Sequence, residues 1–263
     1  MRFRTSRRAA VVGTTTLVVL GAAAVPATAM TSGKDTEAAK PTVVLVHGAW
    51  ADSSSWNPVM ERLRHDGYPV RAIADPLQGL TSDTAYVTSY LATIKGPKVL
   101  VGHSYGGAII TNAATAVPDV KSLVYIAGFI PAKGETVGEL AAKSTPALPL
   151  LSTKVPDGTE VIIDPAKFHE AFAGDLDATT AADLAQDQRP ANTKAVSEVS
   201  KVEGYRNIPS YALLTLDDKA INPDVQRFMD TRAKAHITEV HGSHLVMLSQ
   251  PGAVTKIIEQ AAR

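Results

Sequence analysis

The sequence predicts an α/β protein built on a parallel sheet with helices on both faces. Three observations predict it. Short aliphatic runs recur along the chain, each ended by Gly, His or Asp. Segments with apolar residues at helical spacing lie between them. Their alternation implies right-handed βαβ units, whose strands are buried on both faces and so read as continuous apolar runs.

The elements follow in order. Thr42-Val43-Val44-Leu45-Val46 is the first strand and ends at His47-Gly48. Ser53 to Asp66 places Trp56, Val59, Met60 and Leu63 on one helical face. Val70 to Ala74 is the second strand. Thr81 to Ile94 is a helix with Tyr86, Val87, Tyr90, Leu91 and Ile94 on one side. Lys98 to Val101 is the third strand, and a helix from Ala108 to Val117 follows it. Leu123 to Ala127 and Tyr211 to Leu216 are the next core strands. Pro223 to Ala233 opens with proline, which suits the first helical turn. His236 to Val240 is a sixth strand that alternates more, and Pro251 to Ala262 closes the chain as a helix.

From about residue 131 to 205 the rhythm breaks. The segment is rich in Ala, Asp, Thr and Pro and has no convincing buried strand. Helical fragments such as Ala166-Lys167-Phe168-His169-Glu170-Ala171-Phe172 occur in it. It reads as a mostly helical cap inserted between two core strands.

The N-terminus reads as an export signal. Arg2, Arg4, Arg7 and Arg8 precede an apolar, small-residue stretch and then Ala27-Thr28-Ala29. Ser6-Arg7-Arg8 resembles a twin-arginine signal, although Ala10 stands where that pattern usually has a bulky residue. The expected organisation is a signal over residues 1–29, a disordered leader over 30–40 and one folded domain over 41–263, with the cap at about 131–205. The expected location is outside the cell, with no stable membrane association after cleavage. Cleavage would remove four of the 26 basic residues and no acidic one, leaving 22 against 26. A net of −4, with no Lys/Arg cluster, argues against nucleic acid as a partner. The chain has no cysteine, which excludes disulfides, thiolate chemistry and Cys-based metal sites.

The run Val99 to Ile110 is interrupted at Gly102-His103-Ser104-Tyr105-Gly106-Gly107. Gly-x-Ser-x-Gly between a strand and a helix is the context a nucleophilic serine needs. The sharp turn strains the serine backbone, and side chains two positions either side would collide with the neighbouring strand and helix. The bare spacing arises by chance in roughly one chain in ten of this length, so partners must carry the argument. A serine hydroxyl needs a base, and the base needs a carboxylate. On such a turn the chain order is serine, acid, histidine. The strand Tyr211 to Leu216 runs into Asp217-Asp218, and His236 to Val240 runs into His241-Gly242-Ser243-His244. Each place offers two candidates that spacing alone does not separate. Of the other histidines, His47 braces a strand end, and His103 is expected to point away from the serine.

LVHGAW, LVGHSYGG, the late aspartate followed by proline, and GSHLVMLSQP together resemble an α/β-hydrolase. The nearest likeness is to the branch of plant methyl-ester esterases, hydroxynitrile lyases and bacterial esterase-like proteins, over nearly all of residues 41–263. The resemblance implies a mostly parallel six-stranded sheet with a helical cap. It matches the catalytic acid to Asp218 and the histidine to His244. It implies an oxyanion hole from the backbone N–H groups of Ala49 and Tyr105. The lyases usually carry threonine where Gly48 stands and lysine where Leu245 stands, so the esterases are the better match.

The expected activity is hydrolysis of small to medium carboxylic esters or lactones through an acyl-enzyme on Ser104, with no metal and no organic cofactor. Trp50, Phe129, Leu245 and Met247 are the candidate pocket walls. The alternatives are a cofactor-free perhydrolase or haloperoxidase on the same triad, and a ligand-binding protein on the same fold. The partner is a small-molecule ester, and the assembly a monomer or homodimer.

Overall fold

The computed structural model describes residues 39–263, together with Gly13. The expected signal and nearly all of the leader lie outside the described residues. Ala39–Arg263 form one compact unit.

The chain builds β1 (Thr42–Val46), α1 (Asn57–His65), β2 (Val70–Ile73), α2 (Leu80–Thr93), β3 (Lys98–His103), α3 (Tyr105–Ala113) and β4 (Val120–Ile126). The insertion follows: α4 (Val137–Ala141), β5 (Leu150–Val155), β6 (Gly158–Ile163), α5 (Phe168–Phe172), α6 (Ala178–Gln186), β7 (Ala191–Asn192) and α7 (Lys194–Ser197). The core resumes with β8 (Ser210–Thr215), α8 (Pro223–Arg232), β9 (His236–Val240), α9 (Val246–Ser249) and α10 (Pro251–Ala262).

Six strands form one sheet in the order β2-β1-β3-β4-β8-β9, and every pairing in it is parallel. Alternate strand residues feed two cores. Val44, Val46 and Leu100 face the side packed by α2, α3 and α8. Val43, Leu45, Val99 and Val101 face the side packed by α1 and α10. All six residues of β3 are buried, which is why the run carries no polar alternation. β9 is an edge strand with four of its five residues exposed, and that accounts for its mixed composition.

The chain leaves β1 toward β2 on one side and returns to β3 on the other. The loops after β1 and β3 therefore diverge at a switch point, where parallel sheets open a crevice beyond their carboxyl ends. His47-Gly48-Ala49 and Ser104 sit at those two ends.

The insertion carries its short helices as expected, together with a three-stranded antiparallel sheet, β5-β6-β7, that the sequence reading did not anticipate. The reason is exposure: five of the six β5 residues face solvent, so no buried pattern marks the strand. A local signal was present in Val155-Pro156-Asp157-Gly158-Thr159, a Pro-Asp-Gly turn with Gly158 at φ 141°.

Asp230 of α8 is 3% exposed. Burial pushes its carboxyl up to about 8, against the opposing charge of Arg227. The folded state thus keeps a proton that the unfolded chain releases near pH 4, so this group makes stability fall as pH rises from about 4 to 8. Asp230→Asn is expected to flatten that part of the profile and to be more stable than the parent at pH 8 by at least about 1 kcal/mol. Urea denaturation at pH 5 and pH 8 checks it; an unchanged slope counts against the assignment.

Candidate active site

Ser104 sits between β3 and α3 at φ 50°, ψ −121°, a conformation that costs an L-residue of order 1–3 kcal/mol. Hydrogen bonds from three directions hold it there. Ser104 N–H donates to the Ile126 carbonyl at 3.2 Å, and its own carbonyl accepts from Gly107 at 2.9 Å and Phe129 at 3.0 Å. The neighbouring glycines are required by close approach. A Cβ on Gly102 would lie 2.5 Å from the Gly106 carbonyl, and one on Gly106 would lie 2.5 Å from the Val46 oxygen. The end of β1 passes just as close: a Cβ on Gly48 would meet the Ser104 Cβ at 2.6 Å.

The two tied positions separate by burial. Asp218 and His244 are 2% and 1% exposed, and His244 Nδ1 lies 2.7 Å from Asp218 Oδ2. Asp217 and His241 form only a loose surface pair at 3.3 Å. Asp218 collects four further donors. Oδ1 accepts from the Ala220 and Ile221 N–H groups at 2.8 and 3.0 Å. Oδ2 accepts from Thr215 Oγ1 at 2.9 Å and Gln226 Nε2 at 3.0 Å. A carboxylate only accepts, so His244 Nδ1 carries the proton and Nε2 keeps the lone pair.

The His244 ring lies between Phe172 and His103, with centroids 4.6 and 4.7 Å away. His103 is fully buried, and its Nε2–H donates to the His244 carbonyl at 2.9 Å. Burial, and then the neighbouring His244, push the His103 imidazole well below its ordinary value, so it is neutral. His47 braces the end of β1. Its Nδ1–H donates to the Gly48 carbonyl at 2.9 Å, and its Nε2 accepts the Asp75 N–H at 2.9 Å. Burial lowers its pKa to about 4.

Ala49 and Tyr105 are buried beside Ser104, and neither backbone N–H donates to another protein group among the described residues. The Tyr105 hydroxyl donates to Asp83 Oδ2 at 2.9 Å and so fixes the first turn of α3. Asp75 lies next to Asp83; burial first, and that neighbouring carboxylate second, raise its carboxyl well above the ordinary range.

Ser104, His244, Ala49 and Tyr105 open onto one cavity of about 290 Å³. The insertion supplies most of its wall, including Val137, Ala141, Leu148, Leu150, Val161 and Val196. No Asp, Glu, Lys or Arg is among the described residues that line it. Trp50 and Phe129 line it as expected. Leu245 and Met247 do not. After His244 the chain turns into α9, which buries Met247 in the core packed by α1 and α10, and Leu245 faces a separate hollow. Phe172, Thr215, Gln226 and the Asp75–Asp83 pair were missed. Phe172 and the Asp75–Asp83 pair lie far from the motifs in sequence, whereas Thr215 and Gln226 lie within eight residues of Asp218 and only their burial and hydrogen bonds mark them. Among the described residues, no group of three or more His, Asp or Glu side chains is arranged to hold a metal ion.

The chain matches the alpha/beta hydrolase family over residues 43–257 and belongs to it. A carbendazim hydrolyzing esterase of Nocardioides sp. is 30% identical over 116 residues, which cover 39% of this chain and 48% of that protein. The chain thus matches only about half the length of that relative. A pyrethroid hydrolase of Sphingobium wenxiniae is 27% identical over 246 residues, covering 84% of this chain and 87% of that protein. Among solved structures, polyneuridine aldehyde esterase superposes with a TM-score of 0.71 at 18% identity, over 85% of this chain and 100% of that one, a likeness of fold.

The packing around Ser104 makes a stability prediction. Gly102→Ala drives a methyl group into backbone and is expected to cost about 2 kcal/mol or more. Gly96→Ala, at φ 76° with nothing within 4 Å of its Cβ, should cost only about 1 kcal/mol of backbone strain. Urea midpoints of the two variants check the contrast, and equal losses contradict the crowded elbow.

Proposed function

We propose that the protein is a serine hydrolase of small to medium, uncharged carboxylic esters or lactones. One observation carries the reading. A strained, crowded Ser104 shares an apolar cavity with a histidine whose Nδ1 is held by a buried carboxylate.

Ser104 Oγ attacks the ester carbonyl carbon and gives its proton to His244 Nε2. The carbonyl electron pair moves onto oxygen, between the free N–H groups of Ala49 and Tyr105, and the N-terminus of α3 adds to that field. Asp218 keeps the imidazole in the required tautomer and stabilises the imidazolium. Collapse of the tetrahedral intermediate breaks the carbon–oxygen bond to the alcohol, which leaves with the proton from His244. Water then attacks the acyl-serine by the same route, releasing the acid and restoring Ser104. The atoms and electrons balance with no metal or organic cofactor.

Charge is absent from the cavity lining, so an uncharged substrate enters without leaving its charge unpaired. A side chain at position 48 would collide with Ser104, and Leu245 turns away from the cavity. Both support ester hydrolysis over cyanohydrin cleavage. The Nocardioides relative, whose name describes an esterase, supports the same class.

Hydrolysis of p-nitrophenyl butyrate tests the reading. Ser104→Ala is expected to lose at least a thousandfold in kcat. Asp218→Asn should lose on the order of 10³–10⁴-fold through the wrong tautomer. Asp217→Asn and His241→Gln are expected to stay within about threefold, because a loose, exposed pair contributes little. Equal losses from Asp217→Asn and Asp218→Asn would sink the assignment. Covalent labelling of Ser104 by a fluorophosphonate reports serine activation independently of the chosen ester.

A further inference from the structure

Trp50 is held in an unfavourable backbone conformation for a large residue, with φ at 63°. Three contacts keep it there. Its backbone pairs with Arg189 in an isolated antiparallel bridge. Its indole Nε1–H donates to the Val161 carbonyl of β6 at 2.9 Å. Its ring meets Phe172 edge-on, with centroids 5.7 Å apart and planes at 77°. The side chain is thus fixed at both ends between the oxyanion segment and the insertion.

Trp50 borders two cavities. One is the 290 Å³ cavity of Ser104 and His244. The other is a hollow of about 330 Å³, lined by apolar side chains such as Phe168, Phe172 and Leu245 and, in like measure, by polar groups that include Asp52 and Asp187. Trp50 is the one described residue that lines both. The second hollow thus offers an apolar surface where Phe172 meets the indole, together with polar groups, a lining that suits an alkyl chain running toward solvent.

We propose that Trp50 is a specificity-determining partition: it confines the alkyl chain of the ester to the Ser104 cavity and closes off a second apolar subsite that would take a longer chain. The proposal rests on Ser104 being the nucleophile that fixes one end of that chain. A substrate too long for the first cavity must leave its end in solvent or be refused. Removing the indole joins the two spaces and roughly doubles the room for chain. Each additional buried methylene is worth several-fold in binding, so two are enough for about a tenfold effect.

Trp50→Gly is the direct test, because glycine takes φ 63° without strain. The readout is the ratio of kcat/KM for p-nitrophenyl laurate to that for p-nitrophenyl butyrate. The ratio should rise at least tenfold over the parent. Adding Leu184→Trp, which refills the second hollow from its far side, should return the ratio to the parental value. Trp50→Leu shortens the wall while keeping an apolar side chain, and it carries the same comparison where the glycine variant does not fold. Calorimetric binding of 1-dodecanol against 1-hexanol needs no turnover and reads the same partition: the preference for dodecanol should rise by a similar factor in the opened variants alone. An unchanged laurate-to-butyrate ratio in a folded variant overturns the proposal, as does a gain that survives Leu184→Trp. Loss of fluorophosphonate labelling at Ser104 would instead count against the serine hydrolase reading. In that case the alkanol comparison still decides the partition.

Discussion

The site depends on one steric constraint, the crossing of three stretches of backbone within contact distance of Ser104. The end of β1 at Gly48, the end of β3 at Gly102 and the start of α3 at Gly106 leave no space for a Cβ at any of the three. This crowding arises where the chain reverses direction across the sheet, between β1 and β3. It has two consequences. It holds Ser104 at a φ that the residue would not choose. It also brings Ala49 and Tyr105 to the cavity that Ser104 lines, their backbone N–H groups without a protein partner among the described residues. An unpaired N–H near a cavity is costly in a folded protein unless it is kept for something else. Under the hydrolase reading, that something is the oxyanion, and the donors need no reorganisation when it forms.

The histidine is prepared by a different balance. Under the same reading, its imidazole must gain a positive charge during attack and lose it afterwards while buried. Asp218 supplies the compensating charge at 2.7 Å and is itself satisfied by four other donors, so it does not swing away. The ring neighbours oppose the imidazolium little. Phe172 is uncharged, and His103 is kept neutral mainly by burial, so neither places a second cation beside the first. His103 meanwhile anchors the His244 backbone through its carbonyl. The exposed pair Asp217–His241 has the same residue types and lacks every one of these supports.

This contrast explains what could be read from the chain. The four central strands β1, β3, β4 and β8 were legible because burial on both faces writes itself as continuous aliphatic sequence. The serine was legible because a strained turn demands glycines at fixed spacing. The aspartate and histidine were legible only as doublets, Asp217-Asp218 and His241/His244, since the burial that separates them is a tertiary fact; the family likeness chose between them before the structure did. The insertion was the least legible part. Its hairpin faces solvent, so it carries no periodicity, and its contribution to the cavity comes from side chains scattered from Val137 to Val196. Leu245 and Met247 were misplaced because adjacency to His244 in sequence was taken for adjacency to the cavity, and the turn into α9 sends both elsewhere.

Under the hydrolase reading, the absence of charge in the described cavity lining matters most after chemistry, when the acid is formed. An ester enters neutral. The carboxylate product ionises at neutral pH, and no described lysine or arginine lines the cavity to receive it. The two N–H groups that favour a transient oxyanion give only part of what a full carboxylate loses on leaving water. Asp218, buried a few ångströms behind His244, adds repulsion of the same sign. The lining that admits a neutral ester therefore disfavours its charged product, so the acid is held less tightly than the ester it came from. Discrimination between the two needs no moving part. It follows from a wall that the insertion builds almost wholly from Ala, Val and Leu, and this is the physical reason a segment so variable in appearance still has to be apolar where it faces Ser104.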